Sequence, residues 1–215
     1  MTDEIKSIAR RHLATDGANL SLRAVARDLG VVSSAIYRYF PSRDDLLTAL
    51  IIDAYNALGD AVESAEAAVE RADLTGRFLA MCRAVRGWAV ANPHEYALIY
   101  GSPVPGYAAP RDTVAAAIRP IGVLGRILRD GTAAGILPAD PGEITGPVRE
   151  DLCRLRDAIA PGVPLPALSR AVGAWLQLFG FVSFELFGQF ANTVEAPEPL
   201  LDAQMRAQAA YIGLP

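Results

Sequence analysis

The chain has 215 residues, 52% of them apolar and 20% charged, with a formal net charge of −4. That is material for one or two domains with a real apolar core, which excludes an intrinsically disordered chain. The charge is segregated, +3 over residues 1–43 and −7 over the remaining 172, so a basic front module precedes an acidic body and only the front end is suited to a polyanion.

The opening, MTDEIK, has Asp3, Glu4 and Lys6 where a secretory leader needs a cationic patch and then an apolar run, so a cytoplasmic address is expected. Ile5, Ile8, Ala9, His12 and Leu13 then recur at helical spacing and predict a first helix ending near Gly17. Ser21 offers a hydroxyl to cap a second, short helix whose buried stripe is Leu22, Val25, Ala26 and Leu29. Gly30 permits the sharp stop. Ser33 or Ser34 can cap a third helix, Ala35 to Phe40, which Pro41 prevents from continuing. Ser42 with Asp45 three residues on resembles a capping box and opens a long fourth helix from Arg43 toward Arg71.

Two short helices joined by a glycine-containing turn, with a helix on either side, form a helix-turn-helix. Val25, Ala26, Leu29, Val31, Ile36 and Phe40 supply its small core. Val32, Ser33, Ser34, Ala35, Tyr37, Arg38 and Tyr39 are left facing outward. Hydroxyls and a guanidinium on such a face reach phosphates and base edges, and small residues allow close approach to a groove. A buried aromatic is the competing reading of Tyr37. Arg27 reads as a solvated charge, and Arg10 and Arg11 read equally well as DNA-steering charges or plain surface.

The segment SLRAVARDLGVVSSAIYRYFPSRDDLL, Ser21 to Leu47, resembles the DNA-binding segment of the TetR (AcrR) family of bacterial transcription regulators. Ala26, Gly30, Val31, Ser33, Tyr37, Phe40, Arg43, Leu46 and Leu47 carry the likeness. The resemblance implies an all-α fold with a DNA-binding domain at 1–47 and a helical ligand-binding and dimerisation domain at 48–215. It implies that Ser33, Ser34, Ala35 and Arg38 lie near base edges and that Tyr37 and Tyr39 contact phosphate. It also implies that Arg23 approaches the groove from the second helix and that Arg43 binds backbone.

The body reads as helices at Leu74 to Ala91, His94 to Tyr100, Arg111 to Ala134, Pro147 to Ile159, Leu165 to Phe190 and Pro199 to Ile212, separated by Pro and Gly clusters. The longest stretch without Asp, Glu, Lys or Arg, Tyr96 to Pro110, contains three prolines and is short of the roughly 20 apolar residues that span a bilayer, so no membrane partner is expected. Cys82, Cys153, His12 and His94 are too few and too scattered for a metal site, and no cofactor is expected. Ala171 to Phe184 has no charged residue, and glycines interrupt what should be helical interior. Gly173 and Gly180, seven apart, share a face with Phe184, and a two-fold dimer interface built from this helix and the last one is expected. Trp175, Phe179 and Gly180 resemble the W-x-x-x-H-G signature of the TetR subclass called WHG, with phenylalanine in place of the histidine. For a small-molecule effector the candidate lining is Phe78, Met81, Trp88, Tyr96, Tyr100 and Tyr107, an apolar set with tyrosine hydroxyls as polar handles.

These readings converge on a ligand-responsive transcription regulator, a repressor by the family's habit. It would bind a pseudo-palindromic double-stranded operator as a homodimer and be released by a small apolar effector. The alternative is a helix-turn-helix protein whose body only dimerises or docks a protein partner. An enzyme is not expected, since GxSxG, GxxxxGK[ST] and GxGxxG are all absent from the sequence.

Overall fold

A computed structural model describes residues 1–16, 20–137 and 144–215. Among them the chain is all-helical, with ten α-helices and no strand. They are α1 (Thr2–Asp16), α2 (Leu22–Leu29), α3 (Ser33–Tyr37), α4 (Arg43–Ala67), α5 (Leu74–Ala91), α6 (Pro93–Tyr100), α7 (Thr113–Ala133), α8 (Gly146–Ile159), α9 (Leu165–Leu186) and α10 (Pro197–Ile212). Gly17, where the first helix was expected to end, lies outside the described residues.

The chain folds as two units, neither continuous in sequence. Residues 1–57 and 91–117 form the first, and residues 58–90 and 118–215 the second. In the first, Ile5, Ile8, Ala9 and Leu13 of α1 interlock with Leu22, Val25 and Ala26 of α2, Ile36 of α3, and Leu46, Leu47 and Leu50 of α4. All are buried, which accounts for the helical spacing of these apolar residues in the sequence. Leu98 of α6 and Tyr107 pack against the same cluster. Polar contacts reinforce it: Lys6 Nζ and Arg10 Nη2 meet Asp53 at 2.9 and 2.7 Å, Arg10 Nε meets Glu95 of α6 at 3.0 Å, and Tyr107 and Thr48 share a hydroxyl hydrogen bond of 2.9 Å.

In the second unit α9 packs against α8 and α10 through Ala167, Leu168, Ala171, Ala174, Leu178 and Val182. By length and composition alone α9 could cross a bilayer. Here its buried stripe is taken up by its neighbours, and Glu185 near its end is paired with Arg86 of α5 at 2.6 Å. A Cβ at Gly125 of α7 would stand 2.2 Å from the carbonyl oxygen of Ile159, so only glycine allows the approach of α7 to the end of α8. Arg77 of α5, fully buried, is held by Glu66, by Asp130 and by the carbonyl of Arg71.

Three local expectations are corrected. Neither Ser33 nor Ser34 caps α3; its N-cap is Val32, without a side-chain bond, and the helix starts at Ser33 and ends at Tyr37. The end comes early because the amides of Tyr39 and Phe40 both turn to the Ile36 carbonyl, which brings Phe40 into the core ahead of Pro41. The helix expected to reach Phe190 ends at Leu186, since Gly188 at φ 79° turns the chain and sets Phe190 against Phe181, ring centroids 4.9 Å apart.

Candidate nucleic-acid interface

The helix-turn-helix is built by local chemistry. Ser21 Oγ accepts the Ala24 amide at 3.4 Å and starts α2. Gly30, at φ 71° and ψ 25°, ends it in the left-handed conformation that costs glycine least, and the Val31 amide bonds back to the Ala26 carbonyl at 3.0 Å. Ser42 Oγ accepts the Asp45 amide at 3.1 Å and starts α4. The Ser42 hydroxyl in turn donates to the Asp45 carboxylate at 2.7 Å, so the reciprocal half of a capping box is replaced by a side-chain bond. His12 of α1 meets Asp28 at the end of α2 at 2.6 Å, and this bond, ahead of the neighbouring Arg27, holds the Asp28 carboxyl below its usual range.

With Ile36 and Phe40 buried on one side, α3 turns its other side out. Tyr37 and Tyr39 are 44% and 48% exposed, which decides against the buried-aromatic reading of Tyr37. Arg23, Ser34 and Arg38 are exposed, while Ser33, Ala35 and Arg43 are half-buried. The cations and hydroxyls on this side therefore have open surface and small neighbours.

Of the other basic residues, Arg11 and Arg27 are exposed. Arg10 is committed to Asp53 and Glu95, so its reading as a DNA-steering charge is replaced by a bracing one. That Lys6, Arg10, Asp53 and Glu95 form one cluster was missed; the i,i+4 spacing of Lys6 and Arg10 on α1 was the available signal.

Gly173, Gly180 and Phe184 lie exposed along one stripe of α9 with Leu176 and Phe187. A Cβ at either glycine would meet open space, so their smallness serves no contact among the described residues. A shallow groove of about 400 Å³ runs beside Gly180, between Phe181, Phe184 and Phe190 on one wall and Leu200 and Gln204 on the other.

The six effector candidates separate into two groups. Phe78 and Met81 are buried in the second unit and Trp88 is half-buried there. Tyr96, Tyr100 and Tyr107 belong to the first, where Tyr96 is fully buried. Tyr100 stacks 5.2 Å from Tyr96 and edge-on 5.9 Å from Tyr55, and burial pushes its phenol above the usual range. Among the described residues no cluster of three His, Cys, Asp or Glu is placed to hold a metal ion.

Comparison with known proteins places both ends of the chain. Residues 6–50 match the family described as bacterial regulatory proteins, tetR family, and residues 78–208 match the tetracyclin repressor-like C-terminal domain. An HTH-type transcriptional regulator of Mycobacterium tuberculosis is 40% identical over 212 residues, 97% of this chain and 91% of that protein, and a regulator of Mycobacterium bovis matches equally. The crystal structure of the regulatory protein SCO4313 superposes with a TM-score of 0.78 at 36% identity, over 97% of this chain and 95% of that one. A protein of Rhodococcus sp. RHA1 shares the fold at a TM-score of 0.71 and 24% identity, over 98% of this chain and 92% of that one.

Proposed function

Since the chain belongs to the TetR family of transcriptional regulators, which are not enzymes, we propose that it represses transcription by binding a pseudo-palindromic operator as a homodimer and that a small apolar effector releases it. The observation that carries the reading is the outward face of α3 and of the turn that ends it, where Tyr37, Arg38 and Tyr39 stand exposed over the buried anchors Ile36 and Phe40.

In this reading residues 1–47 are the DNA-binding domain. Ser33, Ser34, Ala35 and Arg38 approach base edges, Tyr37 and Tyr39 give hydroxyls to phosphate, Arg23 reaches in from α2, and Arg43 at the start of α4 binds backbone. Residues 48–215 dimerise and hold the effector. The stripe of Gly173, Gly180 and Phe184 pairs with its own copy across a two-fold axis, the glycines letting backbones approach while Phe184 fills the groove. Two α3 helices are thereby set to enter successive major grooves on one face of the duplex, about 34–36 Å apart.

The effector binds better to the conformer whose α3 spacing misfits the operator, and the ratio of its two affinities sets the shift. Phe78, Met81 and Trp88 of the second unit are one candidate set of contacts, and Tyr96, Tyr100 and Tyr107 of the first are another. The protein works in the cytoplasm, where the chromosome is. Sedimentation and gel-shift measurements test these points together. The wild type should sediment as a dimer, Phe184→Glu should dissociate it, and Tyr37→Phe should weaken duplex binding without dissociating it. A monomeric wild type, or Tyr37→Phe binding as well as wild type, refutes the assigned faces. A thermal-shift screen that stays flat across a broad apolar library removes the effector from the account.

A further inference from the structure

Val32 is the most exposed large apolar side chain among the described residues, with 71% of its surface open. It sits between Val31, which packs on the core of the first unit, and Ser33, the first residue of α3. Its backbone is that of a helix N-cap, φ −68° and ψ 143°, and no side-chain bond closes the first turn. Ser, Thr, Asn or Asp at this position would give α3 a side-chain cap, whereas here the first turn is closed by the backbone alone, the Ala35 amide bonding to the Val32 carbonyl at 2.9 Å. A valine forgoes the side-chain cap and leaves apolar surface in water, so neither consequence helps the fold. Ser33 and Ser34 follow at once in the sequence, so side chains able to cap stand just past the cap position that the valine holds.

Resting on the duplex-binding role proposed above, we propose that Val32 is a specificity-determining residue that packs against the 5-methyl group of a thymine in each operator half-site. In the major groove the thymine methyl is the only apolar group a base pair presents; the rest of the pattern is hydrogen-bond donors and acceptors. Ser34 and Tyr37, exposed on α3, and Arg38 at its C-cap can read those polar groups. Valine can read only the methyl. Set against the amino group of cytosine, it would strip water from a donor and return no bond, so the same side chain rewards thymine and rejects cytosine.

The test uses the duplex that the full-length wild type selects from a random pool. Each thymine of the half-sites is replaced in turn by deoxyuridine in both halves, which removes the methyl and keeps the pairing edge, and affinity is read by fluorescence anisotropy at fixed salt. One position should weaken wild-type binding about 4-fold per half-site, or about 15-fold for both, the worth of one buried methyl-sized group. Val32→Ser, which restores a capping hydroxyl and leaves the melting temperature unchanged or raised, should lose that sensitivity to within about 2-fold, while Val32→Thr, which keeps one methyl, should retain part of it. Operator binding with no methyl-sensitive position, or the same sensitivity in Val32→Ser, overturns the assignment and leaves duplex binding standing. No preference for any duplex overturns both.

Discussion

Arg77 offers the sharpest stability experiment in the chain. Its guanidinium is fully buried, with Nε and Nη2 at 2.7 and 2.5 Å from Glu66 Oε1, Nη1 at 2.8 Å from Asp130, and Nη1 also donating to the Arg71 carbonyl at 3.0 Å. Arg77→Met keeps much of the packing volume and removes the charge. Glu66, whose side chain is 6% exposed, is then left with Arg126 at 3.4 Å as its nearest cation. Breaking a buried pair by removing one partner costs about 3–5 kcal/mol, because the surviving charge stays out of water. For a chain of this size each kcal/mol lowers the melting temperature by about 2–4 °C, so the calorimetric transition should fall by roughly 6–20 °C. Neutralising the partner as well, in Arg77→Met with Glu66→Leu, should recover a large part of the loss, since a well-packed apolar replacement of a buried pair is often neutral or better. A loss below about 1 kcal/mol in Arg77→Met, the range of exposed pairs, refutes the view that this cluster is buried and paired. So does a double variant whose loss is the sum of the singles.

Gly30→Ala should destabilise the first unit by about 1–2 kcal/mol in urea unfolding, because φ is 71° there while a Cβ would meet open space; the cost is backbone conformation alone. The Arg83 guanidinium holds the Asp202 carboxyl below its ordinary value, so the stability from this pair is fully present above that ordinary value and is lost as pH falls through the lowered one; Asp202→Asn should make stability fall less steeply with acid, read by melting temperature from pH 6 down to pH 3. Arg43→Ala should reduce the slope of log affinity against log salt by about 0.9 per protomer, or about 1.8 for a dimer, in anisotropy titrations.

Local signals in the sequence specify the caps, the stops and the exposed faces. The Ser21 cap, the Gly30 stop and the exposed side of α3 each follow from residues within one or two turns of one another, and α5 falls at the residues its apolar pattern marks. What could not be read is which element receives a given face. Tyr107 finds Thr48 59 residues away, and Arg10 finds Glu95, so α6 joins the first unit through contacts that no periodicity encodes. Arg10 shows the consequence: its charge was visible, and its partners Asp53 and Glu95, which commit it to bracing the first unit, were not. Periodicity over-extended α9 for a related reason. The apolar residues continue to Phe190, but Gly188 turns the chain so that Phe190 packs back on Phe181 instead of continuing the helix. The exposed glycines of α9 are the converse case: their spacing was legible, while among the described residues a Cβ at either would meet nothing.

Selection of binding sites from a random duplex pool by the full-length protein decides whether two α3 helices read one operator. An inverted repeat whose half-sites lie about 10–10.5 base pairs apart, or a multiple of that, should be recovered, and should be lost when Arg38→Ala replaces the wild type. Recovery of unrelated sequences, or of the same repeat by Arg38→Ala with equal enrichment, would contradict that reading.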